Sequence, residues 1–211
     1  MRVVEIFKSI EGEGIRAGLP AVFVRLAGCN LRCSYCDTKY SYDATNSVEM
    51  SISQICDTVR KFNCNRVTLT GGEPLIHNDV DRLIWELTHQ DFEVNIETNG
   101  SVSILPFCIS NTIITMDYKC PSSKMEEFMF LENLDFLRNI DVLKFVVGTY
   151  EDLDKCRIIG AKVSANVFIS PVFGEIEPKD IVSYMLTHNM NDCRVQLQLH
   201  KYIWEPNQRG V

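Results

Sequence analysis

A chain of 211 residues, 45% hydrophobic and 23% charged, can fill one sizeable core and is ordinary in composition for a globular protein. Its formal net charge of -7 argues against direct nucleic-acid binding, which needs a basic face. Its apolar runs are strand-length and interrupted, and its first residues lack a secretory apolar stretch, so a cytoplasmic protein without membrane spans is expected.

Residues 2–7 predict a short strand, and Ser9-Ile10-Glu11-Gly12-Glu13-Gly14 a turn-rich loop. The apolar run 21–27 predicts a second strand, which delivers a loop holding Cys29, Cys33 and Cys36. A polar stretch from Tyr40 to Ser47 leads to a helix. Ser51 and Gln54 stand at capping-box spacing there, with Ile52, Ile55, Val59 and Phe62 on one face. Arg66 to Thr70 alternates as a strand and runs into Gly71-Gly72-Glu73-Pro74. Asn78 is expected to cap a helix with Val80, Leu83, Ile84 and Leu87 turned inward.

The alternation continues with strands at 92–96, 112–117, 142–147 and 163–169, and a last one at 194–199. Helices are expected near 125–138, 151–159 and 180–189. Repeated strand-helix units imply an α/β fold, a mostly parallel sheet with helices outside. About six units fall short of the eight of a closed barrel, so a partial, open β/α barrel is expected, as one domain over 1–211. Ligand sites in such folds gather at the C-terminal ends of the strands. The cysteine loop, the GGEP turn, Glu97-Thr98-Asn99-Gly100 and Asp117-Tyr118-Lys119 all fall on that edge.

The odd count of nine cysteines and the chain length argue against a disulfide scaffold. Cys56, Cys64, Cys108, Cys120, Cys156 and Cys193 are scattered, and are expected to be reduced thiols packed as small apolar residues. The other three cysteines have the spacing C-x3-C-x2-C. A zinc site wants four ligands, usually in paired C-x2-C units, and only one short-spaced group exists here, although Cys64 or a histidine could complete it. Three thiolates can instead hold a four-iron cube and leave one iron open. The GGEP turn brings backbone close to a ligand and offers a carboxylate, or it is an ordinary turn.

The cysteine spacing after a first strand and the glycine-rich turn after a second resemble the radical S-adenosylmethionine (SAM) superfamily. Three further groups narrow the resemblance to its 7-carboxy-7-deazaguanine synthase family. They are Phe7 to Gly14, Arg25 to Leu31 with Cys36-Asp37-Thr38, and Glu97 to Gly100 with Gln198-Leu199-His200-Lys201. The resemblance implies a radical SAM lyase with a [4Fe-4S] cluster, SAM and Mg2+. It would convert 6-carboxy-5,6,7,8-tetrahydropterin to 7-carboxy-7-deazaguanine and ammonia, in queuosine or other 7-deazapurine biosynthesis. It further implies a homodimer and a flavodoxin- or ferredoxin-type electron donor.

Carried over by position, Cys29, Cys33 and Cys36 would hold the cluster and Thr38 the magnesium. SAM contacts fall on Asp37, Thr70, Gly72, Glu73, Asp117 and Lys119, with the Glu73 carboxylate accepting from the methionyl amine. Substrate contacts fall on Ile10, Glu11, Gly12, Glu13, Gly14 and Arg25, and on Gly71, Glu97, Gln198 and His200. Gln198 and His200, two apart on the expected last strand, would share one face. Without the resemblance, Thr38 would read as a turn hydroxyl, Glu13 as a solvated loop acid and Arg25 as half of an ion pair. The chain departs from the family pattern at Glu11, Tyr35, the Asp117-Tyr118-Lys119 segment and Ser170-Pro171. A glycyl-radical activase shares the cysteine spacing, and a non-catalytic iron-sulfur or zinc module would need no GGEP turn.

Overall fold

Apolar strands alternating with amphipathic helices build one nine-stranded sheet, in the order β3-β1-β2-β4-β5-β6-β7-β8-β9. The computed structural model describes residues 1–206 and 208–211. β1 (Arg2–Ile10) runs antiparallel to β2 (Pro20–Leu26) and to the short β3 (Val48–Glu49). From β2 onward each neighbour is parallel: β4 (Arg66–Gly71), β5 (Glu93–Thr98), β6 (Thr112–Tyr118), β7 (Val142–Val147), β8 (Asn166–Pro171) and β9 (Cys193–Val195). Six parallel strands follow β2, and the antiparallel β1 and β3 extend the sheet beyond the expected number.

The helices α1 (Ile52–Arg60), α2 (Val80–His89), α3 (Asn133–Phe136), α4 (Tyr150–Gly160) and α5 (Pro178–Thr187) lie between these strands in the chain, and α6 (His200–Ile203) follows the last of them. Ser51 closes the expected capping box on α1, its side chain accepting from Gln54 N while Gln54 returns a bond to Ser51 N. Thr149 and Asp152 cap α4 in the same way. Val24, Leu69, Ile96, Ile114 and Phe145 on one sheet face pack with Ile55, Leu83, Leu87 and Leu153 from the helices into the core.

Period-2 alternation sends the other strand residues to the opposite face, and that face is polar. Register sets Arg25 beside Thr70, Glu97 beside Thr115, and Asp117 beside Lys144. Among the described residues no helix is long and apolar enough to cross a membrane.

Three local expectations are corrected. Residues 125–138 form two short helical turns, not one helix. Asn133 is fully buried there, and its amide bonds to Ile104 N, Gly100 O and Val102 O hold the segment against the 100–104 loop. These tertiary bonds outweigh helix propensity. Asn78 does not cap α2; Asp79 stands at the cap without a side-chain bond. The last strand ends at Val195; beyond it the Gln196 side-chain amide pairs with the Gly14 backbone and Leu199 N donates to Gly12 O.

Candidate active site

The C-terminal strand ends and the polar face enclose a cavity of about 580 Å³. Cys29, Cys33 and Cys36 line it, and all three thiols are free and partly buried. The loop carrying them leaves β2 through Gly28, whose φ of +100° suits glycine. Gly28 N donates to Ser41 O at 2.7 Å, and Glu73 N donates to Gly28 O at 2.8 Å. The GGEP turn therefore lies directly on the cysteine loop. A Cβ on Gly72 would run into the Gly28 carbonyl and come within 2.7 Å of Cys29 Cβ. Leu31 N donates to Cys29 Sγ at 3.4 Å. Burial pushes the Cys29 and Cys33 thiols above their ordinary value, so a nearby cation is needed to hold them as thiolates. Among the described residues no three His, Cys, Asp or Glu side chains converge on a single ion.

Thr70, Gly71 and Gly72 line the cavity, as do Asp37, Thr38 and Glu97. Glu73, expected to accept from the methionyl amine, lies behind that wall. It is fully buried. Its Oε1 accepts from Leu75 N at 3.0 Å and from the Thr98 hydroxyl at 2.8 Å, and its Oε2 accepts from Asn99 N at 2.6 Å. Those bonds are already within the protein, so the carboxylate ties the turn after β4 to the end of β5. Burial raises it to about 7, against the pull of its hydrogen bonds.

Across the cavity a polar network joins the 11–14 loop, β6, β7, β8 and the segment after β9. Asp117 Oδ2 accepts from Lys119 Nζ at 2.9 Å and its Oδ1 faces Lys144 Nζ at 3.1 Å. Lys144 Nζ also reaches Glu13 Oε2 at 3.2 Å. Glu13 accepts from the Ser170 hydroxyl at 2.7 Å and from Gln198 Nε2 at 3.2 Å. Burial raises the Glu13 and Asp117 carboxyls, but the lysines outweigh it and hold both below their ordinary range. Burial likewise disfavours charge on Lys119 and Lys144, and Asp117 more than offsets it, so both ammoniums are raised.

Ile10, Gly12, Arg25, Gln198 and His200 also line the cavity. Gln198 and His200 reach it from a turn and the start of α6, not from a shared strand face. Glu11 and Gly14 lie off its wall. Glu11 is almost wholly buried and bonds to the Thr68 hydroxyl; burial, with Glu97 nearby, raises it to about 7. Gly14 pairs through its backbone with Gln196, at 2.7 and 3.0 Å. Asp37 is half exposed, accepting from Lys201 at 2.8 Å and from Thr38 at 2.9 Å. Crowding raises its carboxyl, but Lys201 outweighs that and holds it at about 2.

Lys144, Lys201 and Tyr40 were not foreseen as site residues. The signal for Lys144 was a single cation inside the apolar strand Val142–Val147.

A profile of the radical SAM superfamily matches residues 23–105. The chain is 44% identical to the 7-carboxy-7-deazaguanine synthase of Clostridium acetobutylicum, over 100% of this chain and 99% of that one. It is 43% identical to the 7-carboxy-7-deazaguanine synthase of Methanospirillum hungatei, over 98% and 86% respectively. The crystal structure of QueE from Escherichia coli shares the fold, with a TM-score of 0.77 at 23% identity and 93% of each chain covered.

Proposed function

The chain belongs to the 7-carboxy-7-deazaguanine synthase family of the radical SAM superfamily, and on that premise we propose that its cavity seats the carboxypterin substrate beside SAM at the three-cysteine loop. The enzyme is a lyase that forms 7-carboxy-7-deazaguanine. The carrying observation is convergence: three free thiols, the GG turn and the Glu13–Lys144–Asp117 network face one cavity.

Cys29, Cys33 and Cys36 fit a [4Fe-4S] cluster, since they are unpaired, share one wall and carry an N–H···S donor. When bound, the cluster and SAM supply a 5′-deoxyadenosyl radical to the substrate. The chain's own residues bind and orient. Backbone groups of Thr70, Gly71 and Gly72 receive the methionyl amine, with Glu73 holding the turn in shape. Lys119 pairs with the methionyl carboxylate, Asp117 takes the ribose hydroxyls, and Asp37 orients the neighbouring loop. Glu13, Glu97, Gln198 and His200 meet the polar edges of the pterin. Glu11 supports them from below, and Ile10 and Gly12 close the pocket wall.

Arg25 takes the substrate carboxylate. Thr38 offers a neutral oxygen on the cavity wall and would hold magnesium near that carboxylate, since oxygen donors suit a hard cation. A flavodoxin- or ferredoxin-type protein supplies the electron, and two copies of the chain pair in the cytoplasm.

The test is anaerobic iron-sulfur reconstitution, then incubation with SAM, reductant, Mg2+ and 6-carboxy-5,6,7,8-tetrahydropterin. Mass spectrometry should detect 7-carboxy-7-deazaguanine. SAM cleavage without that product would overturn the substrate assignment. A product yield indifferent to chelation of Mg2+ would overturn the role of Thr38.

A further inference from the structure

Arg25 is held at one end only. Its Nε donates to Glu5 Oε1 at 2.8 Å, and among the described residues its two terminal nitrogens make no hydrogen bond. The fork of the guanidinium is thus left for a ligand, and Arg25 lines the cavity. What aims the fork is the group that fixes Glu5. Glu5 and Arg25 are register partners across β1 and β2, next to a bulge between Val3 and Glu5. The same Glu5 oxygen accepts from the Tyr40 hydroxyl at 3.1 Å. The Tyr40 ring lies 5.8 Å from the Arg25 guanidinium carbon and 3.8 Å from that of Arg209, in the C-terminal segment. Arg209 and Tyr40 both line the cavity.

We propose that Tyr40 is a positioning residue for the substrate carboxylate: its hydroxyl fixes Glu5, which orients Arg25, while its ring seats Arg209 and draws the C-terminal segment over the pocket. Tyr40 sits in the short 3-10 turn Lys39–Ser41, just past the cysteine loop. Ser41 within that turn is buried, accepts from Gly28 N at 2.7 Å and donates through its hydroxyl to Thr38 O at 2.8 Å. The turn is therefore anchored to both the cysteine loop and Thr38. Tyr40 is only partly buried, and Glu5, Arg25 and Arg209 are charged groups in contact with it.

The inference rests on Arg25 as the reader of the carboxylate, and two probes separate the two claims. 6-Carboxypterin and pterin share a ring system and differ in the carboxylate, and neither carries the reduced ring of the substrate. Binding of each is measured on anaerobically reconstituted enzyme with SAM present, for wild type, Tyr40→Phe, Glu5→Gln and the double variant. Wild type should prefer 6-carboxypterin. Tyr40→Phe keeps the ring and should lose about tenfold in affinity for 6-carboxypterin, the scale of one hydrogen bond to a charged group, with pterin binding unchanged. The double variant should lose no more than Glu5→Gln alone, as expected of residues acting in series. Arg209→Ala should expose the C-terminal segment to protease and raise KM for the carboxypterin more than it lowers kcat, and Arg209→Lys should restore both in part. Iron content after reconstitution is measured in Tyr40→Phe alongside binding, so that affinities are compared at equal cluster loading. Equal loss for the two probes, or no loss, would overturn the role of Tyr40. A wild type without preference between them would remove the Arg25 reading, and the inference with it.

Discussion

Lys144 sits between two acids that the fold has taken out of water. Glu13 and Asp117 each lie within 3.2 Å of its ammonium, and the lysine side chain is 9% exposed. Replacing it by methionine strips one cation from two carboxylates. Breaking one partner out of a buried pair costs roughly 3–5 kcal/mol, and urea unfolding of Lys144→Met should show a loss of that size. Glu11 supplies a different test. Its carboxyl is raised from 4.5 to about 7 in the folded chain, first by burial. A carboxyl that keeps its proton when folded and has lost it when unfolded weakens the fold as pH climbs from about 4.5 to about 7. Glutamine has no proton to lose. The stability of Glu11→Gln relative to wild type should therefore rise across that window, by roughly 3 kcal/mol, followed by urea unfolding at several pH values. The three-cysteine loop was legible by spacing, but the buried state of Glu11 was not. A loop acid reads as solvated until β4 and β5 are seen to enclose it.

Among the elements, those governed by local chemistry were read well. The Ser51–Gln54 spacing forms the capping box it implied, and Ser51→Ala should cost about 1 kcal/mol in thermal or urea unfolding. Most strands appear within a few residues of their expected positions, since apolar alternation is a local property. The helix expected at 125–138 failed because a side chain within it, Asn133, bonds to a loop thirty residues earlier in the chain. The last strand stops early, and the residues after it bond to the 12–14 backbone instead, Gln196 to Gly14 and Leu199 to Gly12. Neither partner can be guessed from adjacent residues. The GGEP turn lies between these cases: its glycines were noticed, and their reason is tertiary. Gly72 faces the backbone of Gly28, so Gly72→Ala should push the turn off the cysteine loop. The expected result is lower iron content after reconstitution with an unchanged far-UV circular dichroism spectrum.

At the scale of the whole molecule, the sheet is an open one whose first and last strands do not pair. The 11–14 loop and the segment after β9 meet across that opening: Gln196 with Gly14, Leu199 with Gly12, Gln198 with Glu13. Farther along, Lys201 reaches Asp37 and Arg209 reaches Tyr40. Deleting residues 204–211 should leave reductive SAM cleavage in place and cut formation of the deazapurine by about tenfold, since the pocket would admit water. Comparing 5′-deoxyadenosine with product in one assay measures both. The sequence by itself determined the fold class, the three-cysteine loop and the strand edge on which the site would lie. These follow from spacing and from period-2 and 3.6-residue patterns, which the chain carries locally. Only the tertiary structure decided which acids face the cavity and which are locked beneath it. Glu73, Glu11 and Glu13 are alike as letters; burial and the donors that reach each one from distant strands separate their roles.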